Sequence, residues 1–268
     1  ILFLKMKNSI PEIERPFFSI NDISPLLEEH YGLYCTIEEL TGERDRNYLV
    51  KAKSGDSFVL KISNSCESFE FMNVQNNAFE RLSKKIEKCR VPEIYPNVRG
   101  ELLTKILSSK GTPHLIRLVR YVDGMPIAEY SPHSKEFLNE LGEMCGKITN
   151  VLKEISLTPP RRKLLWEIHN VFTILTENIF LIKEKRLQEC VRKSLDLYCK
   201  LLSPLEKELR RGWIHNDFND YNILVVPDLS DTHNFGLIDF GDMTHSYLVA
   251  DLAVACAYAM LDKPDPLD

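Results

Sequence analysis

The stretch His215–Asn222 reads His-Asn-Asp-Phe-Asn-Asp-Tyr-Asn, and a later stretch, Phe235–Gly241, reads Phe-Gly-Leu-Ile-Asp-Phe-Gly. Transfer of a phosphoryl group from a nucleoside triphosphate to a hydroxyl needs a carboxylate facing that hydroxyl. It also needs hard oxygen ligands for a Mg²⁺ that neutralises the phosphate charge. Asp217 fits the first need, as catalytic base. Asn222, in the same loop, and Asp239, after a short apolar run, fit the second, because Mg²⁺ takes few protein ligands and leaves the rest to phosphate and water. An Asn/Asp-rich surface turn would use the same residue types. The strand and the Ile-Asp-Phe-Gly that follow at this distance favour the chemistry.

These groups meet only if the chain folds back between them. Ile223–Val226 and Gly236–Ile238 read as a strand pair that returns Asp239 to the loop. Upstream, Ser24-Pro25 opens a short helix to about His30, with Ser as cap and Pro at the first helical position. Tyr34–Leu40, Asn47–Lys53 and Ser57–Ile62 read as strands, the last two joined by the turn Ser54-Gly55-Asp56. The polar loop Thr41–Arg46 has two readings. It is a plain hairpin loop, or it covers nucleotide phosphates, with Gly42 allowing close backbone approach and Arg44 or Arg46 adding charge; one glycine falls short of a full glycine-rich motif. Lys61, alone in the apolar Phe58–Ile62, has the place of a lysine that meets the α- and β-phosphates.

Ser68–Ile86 has helical periodicity. Glu70, Gln75 and Glu80 are its candidates to partner Lys61, and Gln75 holds the inward position, which predicts a hydrogen bond in place of an ion pair. Glu101–Ile106 and His114–Tyr121 form a second hairpin. Val122-Asp123-Gly124 then makes a hinge where the backbone at Tyr121 and Val122 can meet a purine edge. Ser134–Lys153, Leu165–Ile182, Lys183–Leu202 and Val249–Leu261 read as helices, with a short one from Ser203-Pro204 to about Arg211. Trp166, Phe172 and Phe180 sit at helical spacing and read as core. Asp251 either caps its own helix or accepts hydrogen bonds from the catalytic loop.

Composition narrows the class. With 44% hydrophobic and 27% charged residues the chain reads as a globular protein. A net charge of −5 gives no sign of a nucleic-acid surface. The seven cysteines are scattered without a Cys-x-x-Cys pair, which argues for reduced thiols in the cytoplasm over a disulfide framework or zinc site. No apolar run reaches the roughly 18–20 residues of a membrane span, and Ile1–Leu4 is too short for a signal sequence. The expected division is an extension over 1–16, a nucleotide-binding N-lobe over 17–121 and a helical C-lobe over 122–268. That C-lobe ends just after an apolar segment and is expected to be incomplete at its C-terminus.

Four segments together carry a family likeness: Val59-Leu60-Lys61-Ile62, His215–Asn222, Leu237-Ile238-Asp239-Phe240-Gly241-Asp242-Met243 and Asp251-Leu252-Ala253. From about Phe17 to Asp268 the chain resembles the aminoglycoside phosphotransferase and choline kinase family. Asn219-Asp220 and Asp239–Met243 look most like its hydroxylysine kinases, some of whose relatives are fused to aminotransferase domains. The resemblance implies a bilobal α+β protein-kinase-like fold, with a five-stranded antiparallel N-lobe sheet plus one helix and a mainly helical C-lobe. It implies Asp217 as base, Asn222 and Asp239 as Mg²⁺ ligands, Lys61 on the nucleotide phosphates, and His215 and Asp251 as supports of the loop. It further implies GTP or ATP as donor and a small amine or amino acid as acceptor, 5-hydroxy-L-lysine foremost, with fusion to or association with other metabolic domains. Choline, ethanolamine, homoserine and aminoglycosides are the alternative acceptors. A nucleotide-binding pseudokinase module is the alternative from another class, against which the joint retention of Lys61, Asp217, Asn222 and Asp239 argues. The chain departs from the family at Gln75, where relatives often have Glu, and at Asn216, where they commonly have Gly.

Overall fold

The computed structural model describes residues 15–160, 164, 167–226, 233–261 and 263; most of the expected N-terminal extension and Trp166 lie outside them. Helix α1 (Ile20–Tyr31) starts one turn earlier than Ser24-Pro25 predicts. The reason is a capping box: the Asp22 carboxylate accepts the Ser19 N–H at 2.7 Å, which leaves Pro25 inside the helix. Gly32, at φ 64°, closes it in the left-handed conformation that glycine adopts freely.

Strands β1 (Cys35–Leu40), β2 (Arg46–Ala52) and β3 (Ser57–Ile62) follow, then α2 (Phe69–Lys85), β4 (Cys89–Arg90), β5 (Ile94–Tyr95), β6 (Thr104–Leu107) and β7 (Pro113–Arg120). The N-terminal sheet is antiparallel in the order β1-β2-β3-β7-β5, with β6 also on β7. It therefore has six strands where five are expected. The extra one, β5, is two residues long between Pro92 and Pro96, too short to show the alternation by which strands are read. Along β3, Phe58, Leu60 and Ile62 are buried against Tyr48, Val50 and the Ile23 and Leu27 face of α1. A period of two therefore puts Val59 and Lys61 on the opposite face, and Lys61 is paired across the sheet with Arg117 of β7.

The remaining elements are β8 (Met125–Pro126), α3 (Lys135–Leu152), α4 (Val171–Asn178), α5 (Lys185–Leu201), β9 (Arg211–Ile214), β10 (Ile223–Val226), β11 (Asn234–Leu237), β12 (Thr244–Tyr247) and α6 (Val249–Ala259). A four-stranded sheet runs β4-β11-β10-β8, and β12 pairs with β9. β4, although it precedes the hinge, runs parallel to β11 in this second sheet. On α3 the residues Phe137, Leu141, Met144, Cys145, Ile148 and Leu152 are buried at helical spacing. They join one core that runs from Phe71 and Phe79 of α2 to Trp213, Phe218 and Phe240. Phe172 and Phe180 do not join it. They are 45% and 70% exposed: α4 ends at Asn178 with none of its eight residues buried, and Phe180 lies in the 3-10 turn Ile179–Leu181 beyond it, so helical spacing there reports no core-facing stripe. No helix among the described residues is long and apolar enough to cross a membrane.

Candidate active site

The loop between β9 and β10 is shaped by its own side chains. Phe218 is fully buried and anchors it from below. Asn216 takes a positive φ of 69°, a conformation that glycine and asparagine tolerate best. The Asp251 carboxylate accepts the N–H of His215 at 3.0 Å and that of Asn216 at 2.7 Å, so of its two expected uses it serves the loop. The Asn219 Oδ1 accepts the N–H groups of Tyr221 at 2.8 Å and Asn222 at 2.9 Å, and its Nδ2 donates to Asp217 Oδ1 at 2.9 Å. Asn222 Nδ2 donates to the other Asp217 oxygen at 2.7 Å. Both oxygens of Asp217 are thereby fixed, while its partial burial pushes its pKa above the ordinary carboxylate value against the pull of the Asn219 hydrogen bond.

Asp239 follows β11 at φ 58° and ψ 68°. Lys61 Nζ lies 3.5 Å from its Oδ1 and holds its pKa below the usual range, with burial opposing. The neighbouring His215 ring is fully buried; its Nε2 donates to the Ile238 carbonyl at 3.0 Å and its Nδ1 accepts the Asp217 N–H at 3.3 Å. That pattern requires a neutral imidazole, in accord with a pKa lowered by burial to about 4.

These groups meet in a cleft of about 380 Å³. Val59, Val119, Val122, Leu224 and Ile238 form its apolar walls, and Lys61, Asn222 and Asp239 its polar end. Tyr121 also lines it. Asp217 adjoins it through Asn222. A larger cavity of about 730 Å³ opens beside α1 and β6, but the polar groups of Asn64 and Asn97 in its wall are engaged by Asp45, Cys66, Arg99, Glu101 and Thr104. An apolar slot ending in convergent polar groups is the better binding site. Asn222 commits its amide nitrogen to Asp217 and so has its carbonyl oxygen for the cleft; with the Asp239 carboxylate this gives two hard oxygen donors, a set that fits Mg²⁺.

Four residues expected at the nucleotide, Gly42, Arg44, Arg46 and Gln75, lie outside the cleft lining; Arg46 donates to the Phe18 carbonyl at 2.6 Å. A Cβ on Gly42 would come within 2.7 Å of the Asp45 carbonyl, so tight packing of its own loop explains the glycine. Arg44 pairs with Asp242 and reaches the Gly241 carbonyl at 3.5 Å, tying the β1–β2 loop to the segment after Asp239. Gln75 does not partner Lys61. It donates through Nε2 to the Phe240 carbonyl at 2.9 Å and accepts from Arg117, while Lys61 reaches Asp239. Asn219, Arg117 and Asp242 are the residues of this region to which sequence reading gave no role. The Asx-turn chemistry of Asn219 was readable; the other two had no local signal.

Asp251 gives a stability prediction. Burial raises its pKa to about 7, so on acidification from pH 7 the native state takes up a proton before the unfolded chain does and gains stability. The lowered pKa of His215, about 4, acts oppositely: stability present above the ordinary imidazole pKa near 6.5 is lost as pH falls toward 4. Asp251→Asn sets an amide N–H₂ against a buried N–H, at an expected cost of about 1–3 kcal/mol, and leaves the His215 effect unopposed. Urea unfolding at pH 7 and pH 5 should show the variant losing more stability on acidification than wild type. Equal losses would mean that Asp251 takes up no proton in that range.

Residues 36–268 match the phosphotransferase enzyme family. A hydroxylysine kinase of Danio rerio is 26% identical over 265 residues, which cover 95% of this chain and 74% of the relative. Among solved structures, an amicoumacin kinase in complex with AMP-PNP and Ca²⁺ superposes with a TM-score of 0.67 at 16% identity, covering 91% of this chain and 70% of that one. A microcompartment-associated aminopropanol kinase superposes at 0.63 with 15% identity, covering 90% and 75%. These structures establish the fold, bilobal and protein-kinase-like, with its antiparallel N-terminal sheet and mainly helical remainder.

Proposed function

The chain belongs to the phosphotransferase enzyme family, and from that premise we propose that it transfers the γ-phosphoryl group of GTP or ATP to the hydroxyl of a small amine or amino acid, 5-hydroxy-L-lysine first among them. The observation that carries this reading is the convergence of Lys61, Asn222 and Asp239 at the polar end of one apolar slot, with Asp217 fixed beside Asn222. The chain's similarity to the Danio rerio hydroxylysine kinase supports the acceptor, and the fold it shares with the aminopropanol kinase supports an amino alcohol more broadly.

In this reading residues 17–121 and the hinge hold the nucleotide, and residues 122–268 hold the acceptor and the catalytic loop. The purine lies between Val59, Val119, Leu224 and Ile238. Because the Tyr121 N–H is taken by the Ser57 carbonyl at 2.9 Å, the edge of the purine is met by the Tyr121 carbonyl and the Val122 backbone. Lys61 directs its charge to the α- and β-phosphates, and the β1–β2 loop, whose Thr41 lines the cleft and whose Arg44 ties it to Asp242, covers them. Asn222 and Asp239 would hold Mg²⁺, which when bound neutralises phosphate charge. Asp217 orients the acceptor hydroxyl and takes its proton; its raised pKa makes it a better base than an exposed carboxylate. The seven thiols are all free, in keeping with a cytoplasmic setting.

A screen of 5-hydroxy-L-lysine, aminopropanol, choline, ethanolamine, homoserine and kanamycin, each with GTP and with ATP, tests the proposal. Turnover is expected with hydroxylysine. Turnover confined to another acceptor would replace the substrate, and Mg²⁺-dependent nucleotide binding with no turnover on any would favour a nucleotide-binding module instead.

A further inference from the structure

Asp239 occupies a left-handed conformation that a non-glycine residue keeps only where its surroundings over-determine it. The carbonyls of the residues on either side of it, Ile238 and Phe240, are both held by side chains. His215, from the catalytic loop, donates to the carbonyl before it at 3.0 Å. Gln75, from α2, donates to the carbonyl after it, that of Phe240, at 2.9 Å. Gln75 is itself clamped, since its Oε1 accepts from Arg117. The Arg117 guanidinium also donates to Asn76 Oδ1 at 2.9 Å and lies 5.1 Å from the centroid of the Phe79 ring, with the residue only 3% exposed.

The choice of side chain at position 75 has a physical reason. A buried guanidinium next to it would be better served by a carboxylate, yet a carboxylate has no hydrogen to give the Phe240 carbonyl. Glutamine both accepts from Arg117 and donates to Phe240. Lys61, the cross-strand neighbour of Arg117, is left to pair with Asp239. We propose that Gln75, clamped by Arg117, is a positioning residue that fixes the pose of Asp239 through the Phe240 carbonyl, taking the place of a helix carboxylate paired to the strand lysine. This inference rests on the metal role proposed above for Asp239.

The test compares Gln75→Glu, the double variant Gln75→Met/Arg117→Met and, as reference, Asp239→Asn. Calorimetric binding of GTP or ATP with and without Mg²⁺ is measured for each, together with kcat and the thermal midpoint. Gln75→Glu gains an ion pair with Arg117 that offsets the carboxylate oxygen it sets against the buried Phe240 carbonyl, so its midpoint should stay near wild type. It should nonetheless weaken the Mg²⁺-dependent part of nucleotide binding by roughly 10–100-fold, the range for loss of a group that orients a metal ligand, and lower kcat. The double variant removes the buried guanidinium together with the amide that meets it, so that no charge is left unpaired; its midpoint reads the loss of the Asn76 contact, and it should show the same metal defect. Wild-type Mg²⁺ dependence in either folded variant, while Asp239→Asn loses it, would overturn the positioning role. If Asp239→Asn also binds nucleotide with wild-type Mg²⁺ dependence, the metal reading of Asp239 is what fails, and the inference falls with it.

Discussion

Asp217→Ala is expected to lower kcat by about 10²–10⁴-fold, the usual contribution of a general base, with nucleotide affinity near wild type. The two halves of this expectation have separate origins. Asp217 is not part of the lining of the slot, so its removal leaves the purine walls and Lys61 in place. Its carboxylate is oriented by Asn219 at 2.9 Å and Asn222 at 2.7 Å; the variant takes the acceptor of the Asn219 amide, leaves that of Asn222 on the Asp217 carbonyl at 3.1 Å, and empties no apolar core. Steady-state kinetics and a nucleotide titration on the same preparation check it. Turnover at the wild-type rate would remove Asp217 from the base role, and a parallel loss of nucleotide affinity would mark it as a support of the loop.

The second large effect is expected at Asp239. Asp239→Ala removes a proposed metal ligand, so the Mg²⁺ concentration needed for half-maximal rate should rise at least as much as for loss of an outer-shell partner, roughly 10–100-fold. Without Mg²⁺ the sign should reverse. Asp239 lies 3.5 Å from Lys61, where its charge both occupies the lysine and repels phosphate. Deleting it should therefore strengthen metal-free nucleotide binding. Opposite responses with and without the ion are the signature of a ligand. Equal losses in both conditions would assign Asp239 a structural role.

Much of this site was readable from residue types at short spacing. Asp217 and Asn222 share one loop, and the strand pair that returns Asp239 has strong apolar runs, so their meeting follows from a short fold-back. The five longer strands of the first sheet were likewise legible, because each shows alternation over several residues. The strands β4, β5, β8, β9 and β12 were not. β4, β5 and β8 are two residues long, too short to show a period of two, and β9 and β12 bury neighbouring positions without alternation. The start of α1 was misplaced because Ser24-Pro25 and Ser19 with Asp22 are both start signals, and only the folded chain shows which one caps.

Gln75 marks the limit most clearly. Its inward position on α2 was visible in the helical period, but its partner was not, because the Phe240 carbonyl is 165 residues away and Arg117 faces it only through the register of β3 against β7. Arg44 is a similar case, meeting Asp242 across 198 residues. By itself the sequence determined which groups are available for phosphoryl transfer and which of them lie close along the chain, since local spacing and periodicity are properties of the backbone. Only the tertiary structure decided that Lys61 faces Asp239, that Gln75 serves the Phe240 carbonyl and that Arg44 closes on Asp242. Those pairings depend on how two sheets and α2 pack, a choice set by burial over the whole core and encoded at no single position.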